Sequence, residues 1–210
     1  MQADTLIFDL DGTLWDTNAT CALAWNRVLA HLEVPHPPVT EADVRAVAGR
    51  SHRDAIARAF PTIEDESLLD RISAETELED NRALAEHGGA LFEGVLATIP
   101  RLAEAYRLMI VSNCQAGYIE VFRSTSGLDA HFEDHECWGN TGRTKTENLA
   151  AIIERNDARR PVFIGDTTGD HEAARNNELP FIHAACGFGV VEAPDATIEA
   201  FPDLLAVLTR

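Results

Sequence analysis

Four short apolar runs constrain this chain more than any other feature: TLIFDL (5–10), RLMIVSN (107–113), PVFIGD (161–166) and PFIHAA (180–185). Runs of this length bounded by turn residues are parallel strands buried on both faces. Helical patterns lie between them, EGVLATIPRLAEAY before the second, KTENLAAIIERND before the third and GDHEAARNN before the fourth. A last amphipathic segment, TIEAFPDLLAVLTR, reads as a closing helix. Strands alternating with helices imply right-handed βαβ units and an α/β, Rossmann-like parallel sheet with helices on both faces. The first two runs are too far apart for one crossover. Residues 16–88 are therefore expected to be a helical insertion with its own small core, leaving 1–15 and 89–210 as the main domain.

The insertion reads as helical through CALAWNRVLAHLEV, EADVRAVA, HRDAIARAF and ESLLDRISAETELEDNRALAEHG. Pro35, Pro37 and Pro38 break the pattern once, and Gly88-Gly89 marks the return. Arg50, His52, Arg53 and Arg58 gather in one otherwise acidic stretch. They are either a solvated helix start or groups that meet a substrate when the insertion closes over the sheet.

The first run ends in Asp9 and Asp11, separated by one residue and followed by Gly12. Two neighbouring carboxylates repel each other, and burying either alone is costly. A bound cation would offset that cost. Ligands of open parallel sheets sit beyond the carboxyl ends of the strands. There the second run supplies Ser112 and Asn113, the third Asp166 with Asp170, and Lys145 precedes the helix leading to the third. Oxygen-only ligands of this kind suit Mg²⁺, which keeps several waters and pairs with substrate phosphate. Gly12 lets backbone approach a bound anion, and amides after Ser112-Asn113 add to the anion site.

Composition sharpens the reading at one point. Of the 17 basic residues only Lys145 is a lysine. A compact ammonium does what a guanidinium cannot, so the exception marks a point-charge role. The formal charge of −18 argues against nucleic acid or anionic membranes as partners. Screening beyond about 8 Å still lets local groups attract a phosphate. Cys21, Cys114, Cys137 and Cys186 are scattered and read as reduced thiols of a cytoplasmic protein. No run approaches transmembrane length, and the first strand starts too early to leave room for a leader. Oligomeric state is not readable.

DLDGT, SN, a downstream lysine and GDTTGD together resemble the four motifs of the haloacid dehalogenase superfamily of phosphohydrolases, over nearly the whole chain and in order. The insertion resembles that family's C1 cap, and the chain is most similar to the phosphoglycolate phosphatase-like branch. The resemblance implies that Asp9 attacks phosphorus and that Asp11 serves as acid and then base. It implies that Ser112, the Asn113 backbone and Lys145 hold the phosphoryl oxygens, and that Thr13 steadies the loop. Asp9, the Asp11 carbonyl, Asp166 and Asp170 would position Mg²⁺. Arg50, His52 and Arg53 are the substrate contacts expected from the cap. Thr146 follows Lys145 where relatives often carry Pro, so the local turn is expected to differ, and Asn176-Asn177 stands where they often have Ala-Gly.

Other readings are weaker. An EF-hand fails because Leu14 and Thr20 occupy its sixth and twelfth positions. Asp9 and Asp11 as mere turn residues would leave the other three motifs unexplained. His131, His135 and Cys137 fit no standard zinc spacing and lie in a segment that reads as a surface strand. Cys114 is a buried small residue rather than a nucleophile. The function expected is Mg²⁺-dependent hydrolysis of a small phosphomonoester, with phosphoglycolate or a sugar phosphate as substrate. The alternatives are a hexose-phosphate type mutase, which shares the same residues, and a catalytically silent metabolite-binding module. Dehalogenation does not need Asp11, and phosphonate hydrolysis needs a cap lysine that is lacking.

Overall fold

The computed structural model describes residues 1–208. In chain order the elements are β1 (Thr5–Phe8), β2 (Trp15–Asp16), α1 (Asn18–His31), α2 (Glu41–Arg45), α3 (His52–Ala59) and α4 (Glu66–His87). After these come β3 (Ala90–Leu91), α5 (Val95–Ala103), β4 (Arg107–Ser112), α6 (Tyr118–Ser126), β5 (Asp134–Cys137) and α7 (Trp138–Thr141). The last third holds α8 (Lys145–Arg155), β6 (Pro161–Gly165), α9 (Thr168–Asn176), β7 (Phe181–Ala184), β8 (Ala196–Ile198) and α10 (Leu204–Val207). Six strands form one sheet in the order β5-β4-β1-β6-β7-β8. Every pairing in it is parallel. This is the α/β, Rossmann-like sheet the apolar runs imply.

Alternation along the central strand builds the two faces. Leu6 and Phe8 join Leu108, Ile110, Val162, Ile164 and Ile182 on the side covered by α5 and α6. Ile7 joins Met109, Val111, Phe163 and Phe181 on the side covered by Leu149 and Ile152 of α8 and Ala173 and Ala174 of α9. Fully burying each of these side chains contributes roughly 1.5–3 kcal/mol, and a one-residue slip of any strand would send them to the wrong face.

The chain leaves the sheet at β2 and returns at β3, which pair antiparallel through Trp15 with Leu91 and Asp16 with Ala90. Between them α1 and α4 pack against each other, with α2 and α3 alongside. The separate small core expected of this insertion is not what forms. Trp25, Leu29, Ile56, Phe60, Ile72 and Leu84 belong to the same contiguous apolar cluster as Leu6 and Phe8, bridged by Leu14 and Trp15 at the exit from β1. Trp15 is the physical link, stacked edge-on against Tyr118 and Phe122 of α6 at 5.4 and 5.1 Å.

Of two further expectations about strands, one is met and one is not. The HFEDHEC segment supplies β5, the edge of the main sheet, paired with β4. The closing helix expected over TIEAFPDLLAVLTR is instead β8, a 3₁₀ turn at 201–203 and the short α10. Thr197 and Ile198 find a ladder with β7. Pro202 has no N–H and is tolerated in the first turn of that 3₁₀ segment, and the Phe201 ring stacks on Phe8 at 5.9 Å. Thr209 and Arg210, at the end of that segment, lie outside the described residues.

Candidate active site

The carboxyl edge of the sheet collects charge because each strand stops where its polar residue begins. Asp9 follows β1, whose register is continued by the Asp9 amide donating to the Ile164 carbonyl at 2.8 Å. Asp166 follows β6, and Ser112 ends β4. Lys145 and Asp170 arrive from the first turns of two helices, each fixed by a capping box. Thr144 caps α8 reciprocally with Glu147, so Lys145 is its first residue. The Thr-Lys-Thr-Glu sequence thus starts a helix cleanly without the Lys-Pro pair. Thr167 caps α9 reciprocally with Asp170, whose Oδ2 accepts from the Thr167 hydroxyl at 2.6 Å and amide at 3.0 Å. That leaves Asp170 Oδ1 free to face the site.

It meets Lys145 there. The ammonium lies 2.5 Å from Asp170 Oδ1 and 2.6 Å from Asp9 Oδ1, all three side chains being buried. Burial alone would lower the Lys145 pKa, but Asp170 and Asp9 outweigh it and hold the ammonium charged. Burial, then the charge of Asp170, pushes Asp9 well above the usual carboxylate range. The same two causes raise Asp166 to about 7. Ligand oxygens of Asp9, Asp166 and Asp170 all fall within 4.8 Å of one another. Asp166 accepts amides of Phe188 and Gly189 on Oδ2, while its buried Oδ1 has no partner. Three hard oxygen donors with one lone pair left unsatisfied fit a small divalent cation.

Two glycines allow this crowding. Gly12 has φ +85°, and a Cβ there would stand 2.4 Å from Asp166 Oδ2. A Cβ on Gly187 would stand 2.1 Å from the Gly12 carbonyl. The Gly187–Gly189 loop therefore closes behind Asp166 only because it lacks side chains at its two ends. Nothing in the pattern of apolar runs points to this loop, although its glycine spacing, G-F-G after the fourth run, was a visible cue.

Asp11 has a different environment. It points away from the cluster, and its Oδ1 accepts from the Tyr118 and Thr17 hydroxyls at 2.8 and 3.0 Å. Burial raises its pKa to about 6, with those two hydrogen bonds opposing the rise. The Asp11 carboxyl is not a member of the acidic cluster; the metal contact expected of this residue is its backbone carbonyl. Tyr118 and Thr17 were not legible as site residues.

The remaining expected residues divide. A cleft between the sheet edge and the inserted helices is lined by Asp9, Asp11, Ser112, Asn113, Lys145, Arg50 and His52. Asn113 turns its amide to the Gly49 carbonyl at 2.9 Å, tying the insertion to the sheet. Gly12 and Thr13 do not line the cleft; Thr13 is fully buried with its hydroxyl unpartnered. Arg53 is a correction. Residues 52, 55 and 56 face inward from α3, so position 53 lies about 100° round the helix. Its guanidinium pairs with Glu66 and Asp70 at 2.6 and 2.7 Å, outside the cleft. His135 lies against Arg123 and Glu120, and the Cys137 thiol turns to the Gln115 carbonyl, so no zinc site forms with His131 among the described residues.

A parallel sheet that gathers buried carboxylates and one ammonium at its carboxyl edge, beneath an inserted helical layer, defines a Rossmann-like α/β protein with an acidic strand-end site. The family model for haloacid dehalogenase-like hydrolases matches residues 6–184, and the chain belongs to that family. It is 29% identical to a phosphoglycolate phosphatase of Agrobacterium fabrum, over 96% of this chain and 91% of the relative. It is also 29% identical to the phosphoglycolate phosphatase of Synechococcus elongatus, over 100% and 98%. The fold matches a haloacid dehalogenase-like hydrolase from Streptococcus pneumoniae with a TM-score of 0.83 at 18% identity, covering 98% of each chain. Membership and these likenesses make it an enzyme of the phosphoric monoester hydrolase type. Among the described residues no helix is long and apolar enough to cross a membrane.

Proposed function

We propose that this protein hydrolyses small phosphomonoesters with the help of Mg²⁺, through a phosphorylated Asp9. The observation that carries the reading is the pair of unlike carboxyls on one loop. Asp9 lies within reach of Lys145, Asp166 and Asp170, while Asp11 is held apart by Tyr118 and Thr17. Two carboxyls in two environments can take two roles.

Asp9, Asp166 and Asp170 would hold the cation, whose contribution when bound is to neutralise the phosphoryl oxygens and the carboxylates around them. A carboxylate oxygen of Asp9 attacks phosphorus as the ester P–O bond breaks, and the proton of Asp11 passes to the leaving alkoxide. Asp11, now ionised, takes a proton from water. The resulting hydroxide oxygen bonds to phosphorus, the Asp9–phosphorus bond breaks, and inorganic phosphate leaves. Lys145 and Ser112 steady the phosphoryl oxygens throughout. Closure of the inserted helices, tied down by Asn113 and Gly49, excludes bulk water.

The test is phosphate release from a panel of phosphomonoesters with Mg²⁺ and with chelator, for the native protein and Asp9→Asn. Turnover that requires the metal and falls at least ~10³-fold in the variant supports the mechanism. Activity surviving in Asp9→Asn would sink it.

A further inference from the structure

The part of the cleft contributed by the inserted helices holds polar atoms that the phosphoryl chemistry does not use. Asp80 of α4 is 2% exposed. Its Oδ2 accepts from Trp25 Nε1 at 3.2 Å, and its Oδ1 has no partner. Asn18, the first residue of α1, is buried with its amide nitrogen unpartnered. His52 sits beside them with Nε2 at 2.9 Å from the Thr76 hydroxyl. That hydroxyl gives its own hydrogen to the Ile72 carbonyl at 2.7 Å, so His52 donates from Nε2 and Nδ1 carries a lone pair. Nδ1 lies 3.9 Å from Asp80 Oδ2, too far for a direct bond. All three residues line the same cleft as Asp9 and Asp11.

Helix geometry brings them together. Asn18, Cys21 and Trp25 stand at i, i+3 and i+7 on one face of α1. Asp80 bonds Trp25 on that face. Asn18 lies about 4.5 Å along the axis from Cys21, on the side of the sheet. The buried donor Asn18 Nδ2 and the buried acceptor Asp80 Oδ1, left unpaired, each cost on the order of 1–3 kcal/mol, so this wall is built to be completed by something that enters.

We propose that Asn18, His52 and Asp80 form a hydroxyl subsite, and that the ester this protein takes carries a polyol, not a carboxylic acid, as its alcohol. This rests on the phosphatase reading above and names its substrate class. A hydroxyl both donates and accepts, so it satisfies Asn18 on one side and Asp80 or His52 on the other. An ammonium would leave the Asn18 donor unpaired. A carboxylate would bring a second anion against the lone pairs of His52 and Asp80, and the one arginine on this wall, Arg50, is held by Asp54 at 3.2 Å. Burial lowers His52 to about 4 and keeps it neutral, so it offers no charge to such an anion.

Binding separates this proposal from turnover. The full-length Asp9→Asn protein with Mg²⁺ is titrated calorimetrically with glycerol 3-phosphate, propyl phosphate and phosphoglycolate. Glycerol 3-phosphate is expected to bind at least about tenfold more tightly than either of the others, because a site that hydrogen-bonds a hydroxyl rejects analogues lacking it. Asp80→Leu in the same background should shrink the gap between glycerol and propyl phosphates to about threefold or less. Should that variant not fold, Asn18→Ala is expected to narrow the gap in the same direction. Equal binding of glycerol and propyl phosphates, or phosphoglycolate binding as tightly as glycerol 3-phosphate, overturns the subsite. Release of p-nitrophenol from p-nitrophenyl phosphate by the native protein is measured alongside. Its failure would count against the phosphatase reading while the order of binding still decides the subsite.

Discussion

Replacing Lys145 by Met keeps an unbranched side chain of similar size and removes the ammonium that bridges the carboxylates at the sheet edge. The ammonium bridges Asp9 and Asp170 at 2.6 and 2.5 Å, with Asp166 close by, and none of the four is open to solvent. Removing one partner of a buried ion pair costs on the order of 3–5 kcal/mol, since the other charge stays behind unpaired. Here two carboxylates are left, so the upper half of that range applies. For a chain of this length each kcal/mol moves the melting temperature by roughly 2–4 °C, giving a fall of about 8–20 °C in chelator at pH 7.5. The deficit depends on pH with a definite sign. Carboxyls whose folded pKa is raised penalise the folded state above their unfolded value near 4, and Asp166 already stands at about 7. The gap between variant and native protein therefore widens as pH rises from about 4 to 7 and closes as it falls. Mg²⁺ at about 100 times its dissociation constant adds roughly 2.7 kcal/mol to whichever protein binds it, and should restore the variant more than the native chain. Urea denaturation across pH, in chelator and in Mg²⁺, reads all three effects. A variant within about 1 kcal/mol of native at pH 7.5 in chelator would refute the claim that this lysine neutralises the cluster.

Tyr118→Phe removes a donor to ionised Asp11, so the Asp11 pKa should rise further above its present value of about 6. The acidic limb of the kcat profile is expected to move upward; an unmoved limb excludes Asp11 as the titrating group. Gly12→Ala would drive a Cβ into Asp166 at a φ of +85°. It should cost about 3 kcal/mol or more and abolish the Mg²⁺-dependent thermal shift, whereas an unchanged shift would mean Asp166 is not a ligand. Arg155 clasps the edge strand, meeting Asp134 at 2.7 and 2.9 Å and Glu136 at 2.6 Å. These bonds hold both carboxyls below their usual range although burial works the other way. Arg155→Leu should cost about 2 kcal/mol at neutral pH. That cost is lost as pH falls through the depressed folded values, so the urea midpoints of variant and native chain should converge below about pH 4.

The residues legible in the sequence are those whose positions follow from where a strand stops. Asp9, Ser112 and Asp166 each end an apolar run, and sheet topology brings those ends together without further information. Lys145 was legible as the one lysine of the chain and Asp170 from the GDTTGD motif, and local capping boxes, Thr144–Glu147 and Thr167–Asp170, place both at helix starts. Tyr118, Asp80 and Asn18 were not, because their placement arises from α6 meeting the loop after β1 and from α4 packing on α1, and no local pattern encodes that. Arg53 misled because a cluster in sequence is not a cluster on a helix, where neighbours diverge by about 100°. The tail misled because its apolar spacing is helical while Pro202 and the open edge of β7 favour a strand and a turn. The shared apolar cluster went unseen for a simpler reason. Trp15, at the boundary between sheet and insertion, lies in one apolar cluster with residues of both.

A single ε-amine in the whole chain, placed between the two carboxylates that matter most, gives chemistry outside the reaction a use for the site. Reductive methylation with ¹³C-formaldehyde can label only Lys145 and the α-amino group, and the latter sits apart, against the Val207 carbonyl. One of the two resonances would therefore come from the reacting centre itself. Its chemical shift would follow the loading of the cation site without any engineered probe. The rate at which it appears would count how often the protein opens.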